Sequence, residues 1–132
     1  MPSIFTRIIN GEIPCYKIAE NEHCLAFLDI SPLKEGHTLV VPKKEVDDLF
    51  QLDDATYNEL LMFAKKVAAA IKETVPCKRI CVSVLGFEVP HAHIHLIPSN
   101  TESDPNFRNA KLTLSKEQFE QTAKKINAAL KA

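Results

Sequence analysis

The sequence predicts an α+β fold, in which a five-stranded antiparallel sheet is combined with a short N-terminal helix, a long central helix and a C-terminal helix. Five short apolar runs, each bounded by turn residues, have the length of strands. The longer runs with helical periodicity lie elsewhere in the chain, which favours hairpin connections over alternating βαβ units. The 132 residues are 45% hydrophobic and 25% charged, which is typical of one globular domain.

The first elements are predicted from capping and turn residues. Ser3 is a suitable N-cap for a short helix over residues 4–9, and Gly11 suits the left-handed turn that follows. Pro14 begins an extended stretch over residues 15–19. The first helix therefore leads directly into the first strand.

The next two strands are bounded by polar turns. A polar turn separates the first strand from an apolar strand over residues 24–28, so we expect these two strands to pair as a hairpin. After the turn at Gly36, a third strand is expected over residues 37–41, ended by Pro42. Residues 47–52 are expected to be a polar connection with some apolar content.

The longest predicted helix begins after Asp53 and runs to about Thr74, with Pro76 closing it. Its apolar residues recur at helical spacing: Tyr57, Leu60, Leu61, Ala64, Val67, Ala68 and Ile71.

Two further strands, over residues 79–85 and 91–97, precede the last helix, and Pro98 is expected to end the second of them. Ser115 and Gln118 form a capping-box pattern for the C-terminal helix. We expect a single domain over 1–132, with its core at about 3–98 and a C-terminal loop and helix at about 99–132.

Charge and hydropathy narrow the class of protein. The net charge of −1 argues against a protein that binds nucleic-acid backbones. Neither a signal peptide nor a membrane-spanning run is recognisable, so we expect a cytoplasmic protein without a membrane partner. The cysteines are expected to be reduced and mostly buried: Cys15, Cys24, Cys77 and Cys81.

Three of the five histidines, His91, His93 and His95, lie within five residues. On a strand they would share one face at a spacing of ~6.6 Å, while Ala92 and Ile94 would face the core. Such a face is a solvated polar surface, a zinc site or a catalytic site with an imidazole nucleophile or base. From the pattern alone, catalysis and metal binding rank about equally and the solvated surface ranks lowest.

The run from His91 to Ile97 resembles the histidine-triad (HIT) motif, His-φ-His-φ-His-φ-φ with φ apolar, at every position. The resemblance extends from Ile4 to Ile97. It includes the blocks Ile8-Ile9, Glu12-Ile13-Pro14, Cys24-Leu25-Ala26-Phe27-Leu28-Asp29-Ile30-Ser31-Pro32 and Gly36-His37-Thr38-Leu39-Val40-Val41-Pro42-Lys43-Lys44.

The resemblance implies hydrolysis or nucleotidyl transfer at the α-phosphate of a purine nucleoside phosphoramidate, acyl-nucleotide or dinucleoside polyphosphate. His93 would be the nucleophile and form a nucleotidyl-histidine, with a backbone carbonyl holding its other ring nitrogen. His91 and His95 would contact the phosphate and handle protons, and His37 matches a fourth histidine near the triad. A neutral imidazole, with a pKa near ~6.5, is a competent nucleophile at pH 7. No cofactor is implied.

The resemblance also implies a pocket for an AMP-type or GMP-type nucleotide. Asp29 would accept hydrogen bonds from the ribose hydroxyls, although a turn former at a strand end is the alternative interpretation. The residues that would hold the base, or instead simply pack in the core, are Phe5, Ile8, Ile13, Phe27 and Ile30.

The loop before the triad departs from the family pattern. It is shortened, and Phe87 stands where a phosphate-binding Gln is common, so one phosphate contact is expected to be lost. Glu88 would repel phosphate if ionised, so it is expected to face away or to orient a histidine. A catalytically weak nucleotide-binding or interaction protein of the same fold is therefore the alternative function.

Zinc ligands found in some family members are replaced here by Ser3, Thr6 and Glu45, so we expect no metal. The family is commonly homodimeric, and an apolar helix with edge strands offers a suitable surface, so we expect a homodimer. Residues 99–109 are expected to be a loop, in which Asn106-Phe107-Arg108 is either an ordinary loop segment or shapes the phosphate exit side.

Overall fold

The computed structural model of this chain describes residues 2–130. In chain order its elements are α1 (Ile4–Ile9), β1 (Lys17–Glu20), β2 (Cys24–Leu28), β3 (Thr38–Pro42), α2 (Asp54–Thr74), β4 (Arg79–Ser83), β5 (Ile94–Ser99) and α3 (Lys116–Ala129). The strands form one antiparallel sheet in the order β1-β2-β3-β5-β4. The predicted fold class is confirmed.

Local hydrogen bonds explain where the helices begin. The side chains of Ser3 and Asp53 accept hydrogen bonds from the third backbone amide of α1 and of α2. Ser115 and Gln118 form the reciprocal capping box of α3. All three predicted helix starts are confirmed. The connection before α2 contains a short 3-10 turn, Leu49–Gln51, with Leu49 buried.

The strand ends differ from the prediction. β1 begins at Lys17, β3 at Thr38 and β4 ends at Ser83. β5 begins at Ile94, where its pairing with β3 ends at Val40↔Ile94 and its pairing with β4 has already ended at Ser83↔His95. The prediction that all three histidines of the triad lie on one strand was therefore wrong for His91 and His93, which precede it.

Pro98 does not end β5, which continues to Ser99. The pairing of β5 with β3 stops at Thr38↔Leu96, so beyond that point β5 pairs with β4 alone. The missing N–H of Pro98 therefore removes no hydrogen bond to β3.

The two faces of the sheet are covered differently. One face packs against α2 and α3 in the main core, to which β5 contributes Ile94 and Leu96. Burying each such side chain contributes roughly 1.5–3 kcal/mol. The other face carries a smaller cluster of Phe5 from α1 with Leu25, Phe27, Leu39 and Val41. Strand alternation places His95, which pairs with Leu39, on this second face.

Two further expectations concern membrane-spanning helices and the cysteines. Within residues 2–130 no helix combines the length and the apolar content needed to cross a bilayer. All four cysteines are free, Cys24 buried and the other three half-buried.

Candidate active site

His93 lies just before β5, in a short segment that runs beneath α1. Its Nδ1 atom is 2.7 Å from the carbonyl oxygen of His91. A carbonyl oxygen only accepts hydrogen bonds, so Nδ1 carries the proton and donates it. The second ring nitrogen, Nε2, therefore keeps its lone pair when the ring is neutral. The Phe5 ring packs edge-on at 4.9 Å between centroids.

His95 is the partner of His37, and a chain of hydrogen bonds determines both tautomers. The amide of Leu33 donates to Nδ1 of His37 over 3.0 Å, so the His37 proton is on Nε2. Nε2 of His37 lies 3.0 Å from Nδ1 of His95 and donates to it. His95 therefore carries its proton on Nε2, which is left as a donor.

Burial keeps this pair neutral. Desolvation lowers the pKa of His37 to about 4, with the nearby charge of Lys111 adding to the effect. Desolvation also lowers the pKa of His95 to about 3, and His37 and His93 lower it further. Neutral rings at pH 7 preserve the hydrogen-bond directions described above.

His91 has protein partners at both ring nitrogens and is fully buried. Nε2 lies 2.8 Å from the carbonyl oxygen of Pro42 and donates to it, so Nδ1 accepts from the hydroxyl of Ser3 at 2.7 Å. Burial is the main reason that the pKa of His91 is lowered. In this arrangement neither nitrogen of His91 is left to contact a ligand.

Ser3, Thr6 and Glu45 are joined beside His91. One carboxylate oxygen of Glu45 accepts from the amide of Ser3 at 2.7 Å and from the hydroxyl of Thr6 at 2.5 Å. The Thr6 hydroxyl lies 3.4 Å from Nδ1 of His91. The three residues that replace the zinc ligands of some relatives thus form a hydrogen-bonded group.

Asp29 follows β2 and lies beside the histidine pair. Its Oδ1 accepts from the amide of Ser31 at 2.8 Å, and its Oδ2 lies 3.6 Å from Nε2 of His37. Burial is the largest influence on this carboxyl and raises its pKa. The structure therefore places a partly desolvated carboxylate next to the imidazoles.

The predicted base-binding residues are only partly brought together. Phe5 and Phe27 are buried and pack edge-on at 5.7 Å between centroids. Ile8 and Ile13 are half-buried and line an open depression of about 260 Å³. Leu25 also lines this depression and belongs to the same apolar cluster as Phe5 and Phe27. Ile30 stands apart, with 72% of its surface exposed.

The loop before the triad presents Phe87 to solvent, with 94% of its surface exposed. Gly86 permits the turn with a φ of 76°. No hydrogen bond joins Glu88 to a histidine within the described part of the chain, but its charge contributes to raising the pKa of Asp29. Glu88 therefore acts on the site through its charge.

The sequence placed Phe107 in a segment that is an ordinary loop or shapes the phosphate exit side, but it did not indicate the contact of Phe107 with the histidine pair or the position of Lys111 near His37. The Phe107 ring packs edge-on against His95 at 4.7 Å and against His37 at 5.9 Å between centroids. The amide of Leu112 donates to the carbonyl of Pro32 and holds this segment against the site. No pattern in residues 99–112 indicates these contacts, because they join segments far apart in the chain.

Asp29, His37 and His95 also present three potential metal-ligating atoms, all within 4.8 Å of one another. A metal bound at Nε2 of His37 would have to replace the proton that this atom carries, while Nδ1 still accepts from Leu33. The ring would then be an anion, which is costly in a buried site. The atoms of Asp29, His37 and His95 are therefore better suited to the hydrogen bond between the two histidines than to a metal ion.

Known HIT proteins resemble this chain in both sequence and structure. The family model described as HIT domain matches residues 10–102. An uncharacterized HIT-like protein of Borreliella burgdorferi is 37% identical over 132 residues, covering 94% of this chain and 95% of the relative. The adenosine 5'-monophosphoramidase of Schizosaccharomyces pombe is 39% identical over 103 residues, covering 77% of each chain. The crystal structure of a Hit-like protein from Bartonella henselae superposes with a TM-score of 0.84 at 33% identity, covering 97% of this chain and 96% of the other.

Proposed function

This chain belongs to the HIT-domain family, and on that premise we propose that it is a nucleotide hydrolase that acts at the α-phosphate of a purine nucleoside phosphoramidate. Acyl-nucleotides and dinucleoside polyphosphates present the same α-phosphate and are related candidate substrates. The observation that carries the proposal is the 2.7 Å hydrogen bond from Nδ1 of His93 to the carbonyl of His91. It leaves Nε2 of His93 with the lone pair that a nucleophile requires.

In the proposed first step, Nε2 of His93 forms a bond to the α-phosphorus as the phosphorus–nitrogen bond of the substrate breaks. The amine departs with the bonding electron pair and takes a proton from solvent. Water then attacks the phosphorus and gives up a proton to solvent. The bond to Nε2 breaks with its electron pair returning to the ring, so that AMP is released and neutral His93 is regenerated. The proton stays on Nδ1 and is donated to the carbonyl of His91, which stabilises the positive charge of the substituted ring.

His95 is proposed as the donor to a phosphate oxygen. Its Nδ1 is occupied by His37, so its proton is on Nε2. Its ring lies 5.1 Å from that of His93 between centroids. A neutral donor held in place by a second histidine stabilises developing negative charge without giving up its proton.

His91 is proposed to position His93 and not to contact the phosphate. Both of its ring nitrogens have protein partners, and its carbonyl oxygen is the acceptor for His93.

Asp29 is proposed to accept hydrogen bonds from the ribose hydroxyls, and the apolar surface around Phe5, Phe27 and Ile8 to receive the base. A carboxylate that is partly desolvated and beside the imidazoles is well suited to a ribose attached to the reacting phosphate. Ile30 would gain buried surface when a base covers it, because it is now exposed.

A homodimer is proposed through the edge of the sheet formed by β4. β4 is a terminal strand, and the apolar side chains of Val82 on it and of Val84 just after it are exposed, as is Met62 on α2. An apolar sheet edge favours pairing with a second copy. Light scattering is expected to give twice the mass of the chain, and a monomer would contradict this part of the proposal.

The function is tested by incubating the protein with adenosine 5'-phosphoramidate and measuring AMP release by chromatography. Wild-type protein is expected to turn over, His93→Ala to be inactive, and the exposed His23→Ala to match wild type. Rapid acid-free quenching followed by intact mass measurement is expected to show an AMP adduct that His93→Ala lacks. Absence of turnover in wild-type protein, or equal turnover in His93→Ala, would overturn the proposal.

The alternative function is a nucleotide-binding protein with little turnover. The exposed, apolar Phe87 favours it, because this side chain supplies no hydrogen bond to a phosphate. AMP binding by calorimetry without an adduct or AMP release would select this alternative.

A further inference from the structure

The group formed by Glu45, Ser3 and Thr6 reaches the ring of His91 through the Ser3 and Thr6 hydroxyls. Glu45 follows β3, whereas Ser3 and Thr6 begin α1, so a single carboxylate joins two segments that are about 40 positions apart in sequence. Its contacts with the Ser3 amide and the Thr6 hydroxyl are short at 2.7 and 2.5 Å. Hydrogen bonds to an ionised acceptor are stronger than neutral ones.

These bonds hold the Ser3 hydroxyl in one place. The Ser3 oxygen accepts from the amide of Thr6 at 3.0 Å and lies 2.7 Å from Nδ1 of His91. Nδ1 of His91 carries no proton, so the Ser3 hydroxyl donates to it at 2.7 Å, a shorter contact than the 3.3 Å to the Thr6 hydroxyl oxygen.

His91 is in turn held at both ends of its ring. Nδ1 accepts from Ser3 and Nε2 donates to the carbonyl of Pro42. The backbone of the same residue provides the carbonyl that accepts from Nδ1 of His93 at 2.7 Å. A shift of the His91 ring therefore displaces the group that determines the tautomer of His93.

The packing of α1 reinforces this connection. Phe5 lies between Ser3 and Thr6 in sequence, and its ring contacts both His91 at 5.8 Å and His93 at 4.9 Å between centroids. Loosening the first turn of α1 would therefore loosen the apolar contact with His93 together with the hydrogen bond to His91.

We infer that Glu45 is a positioning residue for the reaction at His93, acting through Ser3, Thr6 and the His91 backbone. Glu45 contacts none of the reacting atoms. Its role is to tie the start of α1 to the segment that follows β3, so that His91 presents its carbonyl to His93 in one orientation. This inference rests on the proposed function where it concerns turnover, but not where it concerns the tautomer of His93.

The test compares Glu45→Gln, Thr6→Val and Ser3→Ala with two controls. Thr6→Ser keeps the hydroxyl that Thr6→Val removes, and Glu59→Gln makes the same charge change at an exposed position on α2, on the opposite face of the sheet. Glu45→Gln, Thr6→Val and Ser3→Ala are expected to lower kcat for adenosine 5'-phosphoramidate by about tenfold or more, with KM changed less than about threefold. Thr6→Ser and Glu59→Gln are expected to stay within about twofold of wild type.

The tautomers are measured separately by long-range proton–nitrogen NMR of ¹⁵N-histidine protein. Wild type is expected to show a single Nδ1–H form for His93, whereas Glu45→Gln is expected to show a mixture of Nδ1–H and Nε2–H forms. The chemical shifts of α2 are expected to be unchanged in Glu45→Gln, which shows that the fold is retained. The inference is overturned if Glu45→Gln and Ser3→Ala both keep the wild-type His93 signals, whatever the kinetics. If wild-type protein shows no turnover, the proposed function fails while a mixed His93 tautomer in Glu45→Gln still supports the positioning role.

Discussion

The Nδ1 atom of His93 lies 2.7 Å from the carbonyl oxygen of His91, two residues earlier in the same chain. A backbone carbonyl does not titrate, so the tautomer of His93 is determined by a group whose charge never changes. The reactive nitrogen is thereby selected by the path of the backbone just before β5. The remaining residues of the site either orient the His93 ring and the His91 carbonyl or complete the surface around them.

The pairing of His37 with His95 predicts a difference between two substitutions of His37. His37→Leu removes the donor to Nδ1 of His95 and is expected to lower kcat by about tenfold or more. His37→Gln retains a donor and an acceptor and is expected to lose less. The measurement is phosphoramidate turnover, with circular dichroism to show that both variants are folded. Wild-type kcat in His37→Leu would show that the pairing has no effect on catalysis.

The lowered pKa values of His37 and His95 predict that acid weakens the fold. The unfolded chain has ordinary histidine pKa values near 6.5, whereas the folded chain has values of about 4 and about 3. Between these values the unfolded state binds more protons, so stability is fully present above about pH 6.5 and falls as the pH falls towards 4. At pH 5 each histidine is expected to cost about 2 kcal/mol.

Urea unfolding between pH 7.5 and pH 5 measures this loss. His37→Gln is expected to reduce the slope of stability against pH, whereas replacing the exposed imidazole in His23→Gln is expected to leave it unchanged. Equal stability at pH 7.5 and pH 5 in wild type would contradict the prediction.

The position of Asp29 predicts selectivity for ribose. Asp29→Asn keeps an oxygen for the amide of Ser31, so the turn after β2 is expected to be retained. It replaces an acceptor by a donor where the ribose hydroxyls are proposed to lie, and KM for the ribonucleoside substrate is expected to rise by about tenfold. The 2',3'-dideoxy analogue is expected to respond little. An equal effect on both substrates would remove Asp29 from ribose binding.

Two glycines with positive φ predict different losses of stability. Gly86, at φ 76°, has open space where a Cβ would lie, so Gly86→Ala is expected to cost about 1 kcal/mol from backbone strain alone. Gly36, at φ 91°, would place a Cβ 2.8 Å from Cγ2 of Val75. Gly36→Ala is expected to cost about 3 kcal/mol in urea unfolding, because strain and overpacking add. Similar losses for the two variants would show that the contact with Val75 is readily relieved.

The sequence by itself determined the element types, the helix starts at Ser3, Asp53 and Ser115, and the cluster of histidines. These features depend on residues within a few positions of one another, and hydrophobic periodicity and capping report such local relations directly. The resemblance to the HIT family also rested on ordered local motifs, and the fold and the family are confirmed.

Only the tertiary structure decided what each histidine does with its two nitrogens. The partners of His91 lie 88 and 49 positions away, at Ser3 and Pro42, and His37 meets His95 across 58 positions. Phe107 reaches the same pair from the segment between β5 and α3. Periodicity shows which face of an element a side chain occupies, but a tautomer depends on which distant donor or acceptor the folded chain brings to each ring nitrogen.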